Sequence, residues 1–297
     1  MSTNVWTPND IADLTGRRIV ITGANGGLGS IAARTLAHKG ATVVLACRNT
    51  DSGRRVAEAI GGDVSVAQLD LARLDSVREF AAQQGEFDVL INNAGLMNVP
   101  FSRTRDGFET QFGVNHLGHF ALTALVIDRL RDRVVTLSSI AHAHTPKLWV
   151  DDLNYENRRY QRNLAYAQSK LANLMFAREL ERRLSGAGGR VRSYAVHPGV
   201  AATDLFTRTE TVADRFAKAG ARLWGHSPES AAHSMLFAAT EPEADPSVYW
   251  GPTRGIGQSR GPVAAASSSR LSRDRALWGQ LWQQSEVMTG TPFRVGA

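Results

Sequence analysis

Cysteine is nearly missing: Cys47 is the single one among 297 residues. No intrachain disulfide can form, which excludes a disulfide-stapled secreted scaffold and fits a reducing compartment. Lysine is scarce as well, at positions 39, 147, 170 and 218 only, against thirty arginines. No uninterrupted apolar run is long enough to span a membrane. Residues 1–10 are polar with one tryptophan, unlike a secretory signal. No low-complexity linker divides the chain. What is present, 43% hydrophobic and 21% charged residues, suffices for a sizeable core and excludes a disordered or fibrous chain. A cytoplasmic, globular, single-domain protein without a membrane partner is expected.

The net charge of +6 raises the question of a nucleic-acid partner. Its distribution argues against one, because the cations come as scattered pairs (Arg17–Arg18, Arg54–Arg55, Arg158–Arg159, Arg182–Arg183) and not as a tail or stripe. A general arginine bias accounts for the charge.

Strand-like and helix-like segments alternate along the chain. Short β-branched runs predict strands at 18–22, 42–47, 64–69, 87–91, 133–138, 192–197 and 247–250. Helical spacing falls between them at 28–38, 53–60, 74–83, 107–130, 164–184 and 228–240. Such alternation implies right-handed crossovers and a doubly wound parallel sheet flanked by helices, an α/β fold of Rossmann type. The core is expected over about 15–250. A Gly-, Ser- and Arg-rich extension then covers 251–297 and ends in a helix carrying Trp278, Leu281 and Trp282.

The strongest local signal is Thr22-Gly23-Ala24-Asn25-Gly26-Gly27-Leu28-Gly29, where a strand hands over to a helix. Glycines there permit a tight turn and a close approach to a pyrophosphate, and the helix that follows offers free N–H groups and its positive end. Gly23, Asn25, Gly27, Leu28 and Gly29 are therefore candidate cofactor-binding residues. The spacing T-G-x-x-x-G-x-G differs from the G-x-G-x-x-G of larger dehydrogenases. At the end of the second strand, where an NAD site normally places a carboxylate, stands Ala46-Cys47-Arg48-Asn49. The missing acid and the guanidinium of Arg48 favour the 2′-phosphate of NADP(H) over NAD(H).

Tyr166-Ala167-Gln168-Ser169-Lys170 lies in a strongly helical stretch, and positions four apart share a face. A phenol titrates near ~10 and is a poor acid or base at neutral pH. A neighbouring ammonium favours the phenolate and brings it toward a useful range.

On Gly23, Gly27 and Gly29, on Asn92-Asn93-Ala94-Gly95, on Asn115, on Ser138-Ser139, on Tyr166 and Lys170, and on Pro198-Gly199, the sequence resembles the short-chain dehydrogenase/reductase family, classical type. The stretches ACRN at 46–49, NHLGHF at 115–120 and SKLAN at 169–173 resemble its retinol dehydrogenase and protochlorophyllide reductase branch, which largely uses NADP(H). The resemblance implies a catalytic set of Asn115, Ser139, Tyr166 and Lys170. Tyr166 would exchange a proton with the substrate oxygen, and Ser139 would stabilise that oxygen. Lys170 would lower the Tyr166 pKa and hold the nicotinamide ribose, and Asn115 would support a relay water through its backbone. It further implies that Asp70 and Leu71 lie at the adenine, Asn93, Ala94 and Gly95 along the adenosine, and Pro198, Val200 and Thr203 at the carboxamide and phosphate. Ser139 and Tyr166 stand 27 apart, about twice the usual separation; the intervening insertion reshapes the substrate mouth. Mammalian retinol dehydrogenases often begin with a membrane anchor, which this chain is not expected to have, so retinoid activity is not carried over.

Other signals point elsewhere. His116/His119 and His142/His144 have spacings seen in metal ligands, but no H-E-x-x-H or cysteine cluster accompanies them, and no metal is expected. Phe206, Phe216, Leu223 and Trp224 suit a substrate lid or an amphipathic helix on the sheet. Trp278 and Trp282 suit core or interface, and Cys47 a buried strand-end thiol. The expected activity is NADP(H)-dependent interconversion of a carbonyl and an alcohol on a small or medium apolar substrate, in a protein free to form homo-oligomers. Reduction of a carbon–carbon double bond and non-catalytic NADP(H) sensing are the rival readings; the intact Asn115, Ser139, Tyr166 and Lys170 argue against a sensor.

Overall fold

The β-branched run at Arg18–Thr22 alternates its side chains between two apolar layers, and neighbouring strands do the same. In the computed structural model, which describes residues 5–199, 227–255 and 258–295, Val20, Val44, Leu90 and Val134 enter one buried cluster. Ile19, Ile21, Val43, Leu45, Val89, Ile91 and Val135 enter the other. A strand buried on both faces must be covered by helices on both, which is why the runs read as continuously apolar.

The strands are β1 (Arg18–Thr22), β2 (Thr42–Cys47), β3 (Val64–Gln68), β4 (Phe87–Asn92), β5 (Leu130–Leu137), β6 (Arg192–Val196), β7 (Tyr249–Arg254) and β8 (Arg260–Ala265). They form one sheet in the order β3-β2-β1-β4-β5-β6-β7-β8. Every pairing from β3 to β7 is parallel, and β8 closes the edge antiparallel to β7. The fold is thus the doubly wound Rossmann-type α/β domain, with one correction: the sheet is mixed, because the Gly-, Ser- and Arg-rich segment after 250 returns as β8. Gly261 and Pro262 hide that strand from a propensity reading, and proline is tolerated because β8 is an edge.

The helices are α1 (Gly27–His38), α2 (Thr50–Ile60), α3 (Leu74–Gln83), α4 (Thr110–Phe112), α5 (Gly118–Val126), α6 (Arg162–Gly186), α7 (Pro228–Thr240) and α8 (Arg275–Thr289). Packing places α1 against α7 on one face; on the other, α5 and α6 lie under α8. The continuous helix expected at 107–130 is broken. Glu109 caps α4 by accepting from the N–H groups of Gln111 (2.8 Å) and Phe112 (2.7 Å). A π-helical turn, Gly113–Leu117, then joins α4 to α5. Gly118 starts α5 where a Cβ would stand 2.5 Å from the Leu71 carbonyl oxygen, so only glycine permits this approach. β5 begins at Leu130, three residues before the expected strand.

The C-terminal helix α8 buries Trp282 in the core, while Trp278 is half-buried against it. Trp282 is 2% exposed and stacks on Phe176 (5.9 Å between centroids), with Phe120 at 5.2 Å and Phe293 at 4.6 Å. Among the described residues no helix is long and apolar enough to cross a membrane.

Candidate active site

The chain reverses its winding direction between β1 and β4, and the carboxyl ends of these strands open the crevice where doubly wound sheets bind ligands. β1 runs into the glycine turn, and α1 starts behind Gly26, which offers no side-chain cap to the first N–H groups. Those free donors and the helix dipole make an anion site. Gly23 holds φ at +67°, and a Cβ on it would lie 2.9 Å from Ala94 Cα. A Cβ on Gly29 would lie 2.6 Å from Asn93 Nδ2. The turn is therefore pressed flat on Asn93 and Ala94 at the end of β4, leaving its outer side free for a pyrophosphate. Asn25 fastens it sideways, its carbonyl accepting from the Ser52 hydroxyl at 3.2 Å, and Leu28 packs against the core. These backbone demands fit a dinucleotide.

Arg48 is exposed at the end of β2, and Asn49 beside it caps α2 by accepting from the Ser52 N–H at 2.9 Å. The nearest following acid, Asp51, pairs with Arg54. Asp70 lies after β3, with Oδ1 accepting from the Ala72 N–H at 3.1 Å. Leu71 turns its side chain into the core against Gly118 and can meet a ligand through its backbone alone. Pro198 follows β6, and the Gly199 N–H after it donates to His197 Nδ1 at 3.2 Å. Val200, Thr203 and the aromatic residues Phe206, Phe216 and Trp224, with Leu223, lie outside the described residues.

Ser139, Tyr166, Lys170 and Asn115 converge beyond the ends of β4 and β5. Tyr166 and Lys170 share the inner face of α6, with the Lys170 ammonium 5.8 Å from the phenol ring centroid. Lys170 Nζ donates to the Leu137 carbonyl at 3.1 Å, and burial brings its pKa down to about 8. Burial pushes the Tyr166 phenol up to about 12, and the adjacent Ser139 hydroxyl works against that rise. Desolvation is the largest influence on the phenol at a site this enclosed, and the lowering expected from Lys170 is not found. Gly95 sits at the meeting point: a Cβ there would lie 3.3 Å from Asn115 Oδ1 and 3.5 Å from Lys170 Nζ.

The two serines part company. Ser138 is buried and donates to the Lys170 carbonyl at 2.7 Å, tying β5 to α6. Ser139 accepts from the Ala141 N–H at 3.2 Å, and its hydroxyl bonds the Tyr166 phenol. Asn115 lies in the π-helical turn, its side chain clamping the loop after β4: Oδ1 accepts from the Leu96 N–H (2.7 Å), and Nδ2 donates to the Leu96 carbonyl and Ser169 Oγ (2.9 Å each).

Sequence reasoning gave no role to Thr22 and set His119 aside. Thr22 Oγ1 accepts from the N–H groups of Asn93 (2.9 Å) and Ala94 (3.0 Å) and lies 2.8 Å from His119 Nε2. His119 Nδ1 donates to the Asn115 carbonyl at 2.9 Å, burial brings the ring's pKa down to about 4, and Nε2 of the neutral ring then accepts from Thr22. One buried chain of bonds thereby joins the glycine turn, the 93–95 loop and Asn115. The threonine opening T-G-x-x-x-G-x-G was the available signal; the pairing with a residue 97 positions away was not. Cys47 is buried, donates to the Asn49 carbonyl at 3.3 Å, and has its thiol pushed up by burial.

The insertion folds as two 3₁₀ turns, Ile140–His144 and Val150–Asp152, followed by an aromatic clamp. There the Arg158 guanidinium lies 3.5 Å from the Tyr155 ring centroid and 4.1 Å from that of Trp149. A cavity of about 710 Å³, lined by Arg178, Arg192, Tyr249 and Trp278 among others, lies behind α6 and contains none of the candidate catalytic side chains.

The family model described as short chain dehydrogenase matches residues 17–150. Retinol dehydrogenase 13 of Homo sapiens is 40% identical over 297 residues, covering 94% of this chain and 86% of that protein. Retinol dehydrogenase 12 of Homo sapiens is 49% identical over 205 residues, covering 65% of this chain and 64% of its own length. The crystal structure of an uncharacterised protein from Mycobacterium paratuberculosis superposes with a TM-score of 0.85 at 43% identity, covering 98% of this chain and all of that one.

Proposed function

Because this chain belongs to the short-chain dehydrogenase/reductase family, with its NAD(P)-dependent carbonyl/alcohol chemistry, we propose that it uses NADP(H) to interconvert a carbonyl and an alcohol, with Tyr166 as acid and base. The observation that carries the reading is the buried Tyr166 phenol between Ser139 and Lys170, with Lys170 and Asn115 meeting at Gly95, beside an uncapped glycine turn.

When bound, the nicotinamide supplies or takes the hydride. The protein's part is proton handling and electrostatics. A phenol pushed up to about 12 keeps its proton at neutral pH and can give it to a carbonyl oxygen. Ser139 bonds the same oxygen as charge develops on it. Lys170, at about 8, is mostly charged at neutral pH; it holds ribose hydroxyls and favours the phenolate when an alcohol is oxidised. Asn115 keeps the loop after β4 and α6 in register around them. Gly23, Asn25, Gly27, Leu28 and Gly29 hold the pyrophosphate side, Asp70, the Leu71 backbone and Asn93 to Gly95 the adenosine, and Arg48 the 2′-phosphate. Pro198, Val200 and Thr203 complete the nicotinamide side.

The substrate is a small or medium apolar carbonyl or alcohol, a reading supported by the aromatic residues that follow Thr203 and by the relatives named for retinol. The protein acts in the cytoplasm as one domain, its charge serving no nucleic-acid partner. A panel of aliphatic, aromatic and polyene aldehydes, all-trans-retinal among them, is followed by NADPH absorbance with the intact chain and with Tyr166→Phe. Turnover by the intact chain, its loss in Tyr166→Phe and retained NADPH binding are expected. Turnover surviving in Tyr166→Phe overturns the reading.

A further inference from the structure

Ser139 caps the 3₁₀ turn Ile140–His144, and His142 on that turn reaches back to it. The His142 ring is 2% exposed. Its Nδ1 lies 2.6 Å from the Ser139 carbonyl oxygen, and its Nε2 lies 3.1 Å from the main-chain nitrogen of Ser269 in the C-terminal extension. A carbonyl can only accept and a peptide N–H can only donate. The ring therefore carries its proton on Nδ1 and turns a lone pair to Ser269, one neutral tautomer dictated by two fixed partners. Tyr249 of β7 closes edge-on over the ring, with centroids 5.4 Å apart at 88°. Ser139 itself accepts from the Ala141 N–H and lies beside the Tyr166 phenol. A bonded path thus runs from the extension through one imidazole to the backbone of the serine beside the proton donor.

We infer that His142 is a positioning residue, and that through it the C-terminal extension sets the orientation in which Ser139 meets the substrate oxygen. This rests on the Tyr166-centred reading above. The extension is then part of the catalytic apparatus and not only a cover for the core, and the link has a built-in acid limit. A protonated ring would point a second N–H at the Ser269 N–H, and the bond to the extension would be lost. The groups facing the ring are Arg178 of α6, His144 on its own turn and the Tyr249 ring of β7. Burial first, then the charges of Arg178 and His144, disfavour protonation, while the bond to the Ser139 carbonyl favours it; the net direction is downward from 6.5. The link is therefore intact at neutral pH and lost in acid.

Two measurements on the full chain test this. In ¹⁵N-imidazole NMR, assigned with His142→Phe, His142 should appear as the Nδ1–H tautomer and titrate below the ordinary histidine range of ~6.5. An Nε2–H tautomer, or titration at or above that value, overturns the inference. In steady-state kinetics, His142→Phe should lower kcat about 5- to 10-fold, the worth of one buried hydrogen bond, with KM and NADPH affinity within about twofold. The native chain should lose kcat in acid, and this variant should lack that fall. His142→Gln, whose amide keeps a donor and an acceptor, should recover part of kcat. Native kcat in His142→Phe, an unchanged acid limb, or parallel losses of kcat, affinity and thermal stability without recovery in His142→Gln would each overturn it. Tyr166→Phe in the same assay separates the two readings: turnover surviving there refutes the role of Tyr166, while the NMR result still decides the link.

Discussion

Replacing Lys170 with methionine should stabilise the protein while abolishing its activity. Burial holds the Lys170 ammonium at a pKa of about 8 against 10.5 for the free side chain. At ~1.4 kcal/mol per pKa unit, keeping this charge in the folded protein at neutral pH costs roughly 3 kcal/mol relative to the unfolded chain. Methionine gives up the bond from Nζ to the Leu137 carbonyl, worth about 1 kcal/mol. That carbonyl is not orphaned, because Asn173 Nδ2 also donates to it, at 3.0 Å. The net expectation is a gain of roughly 2 kcal/mol, or about 5 °C in Tm for a chain of this size. The sign of its pH dependence follows from which state holds the proton. Between about pH 8 and about pH 10.5 the unfolded chain binds more protons at Lys170 than the folded one, so the native protein gains stability as pH rises through that window. The advantage of Lys170→Met is thus full below about pH 8 and gone near pH 10.5. Urea unfolding of both proteins across this range measures it. A variant less stable at neutral pH, or a difference that does not change with pH, would refute the claim that this lysine is held at an energetic cost for the site.

Arg48→Ala should weaken NADPH binding about 5- to 30-fold in a fluorescence titration, as one exposed charge-assisted contact is lost, and leave NADH within about twofold; equal losses for both would remove Arg48 from the phosphate. Carbonyl reduction, followed as kcat/KM, should fall as pH rises past about 8, where Lys170 loses its charge while Tyr166 still holds its proton; a flat profile to about pH 10 would count against Lys170. Trp282→Ala should cost about 3–5 kcal/mol and lower Tm by about 10 °C, since it empties the centre of the Phe120–Phe176–Phe293 cluster that seats α8. A loss below about 1 kcal/mol in calorimetry would mean that the extension docks by other contacts.

The parts of the molecule legible in the sequence are those whose signal is local. β1, β2, β4 and β6 appear within a residue or two of their expected bounds, because strands buried on both faces are uninterrupted apolar runs. The glycine turn is local too: Gly23 and Gly29 are required by contacts with a segment that itself ends a recognisable strand. β8 is not legible because an edge strand tolerates Gly261 and Pro262, and the sequence at 107–130 reads as one helix because a π-helical turn leaves the apolar pattern almost unchanged. Ser138 and Ser139 are told apart in the sequence by resemblance alone; in the structure the Ser138 hydroxyl is spent on the Lys170 carbonyl.

By itself, then, the sequence determined the layered α/β architecture, the single unpaired thiol and the order in which turn, serine, tyrosine and lysine follow one another. Burial periodicity and backbone geometry are written in neighbouring residues. The tertiary structure alone decided that burial and not Lys170 dominates the phenol of Tyr166, that Thr22 and His119 bind the glycine turn to Asn115, and that the extension touches Ser139 through His142. Each of these depends on desolvation or on hydrogen bonds between residues far apart along the chain, and no local pattern of side chains encodes which distant polar groups will be buried together.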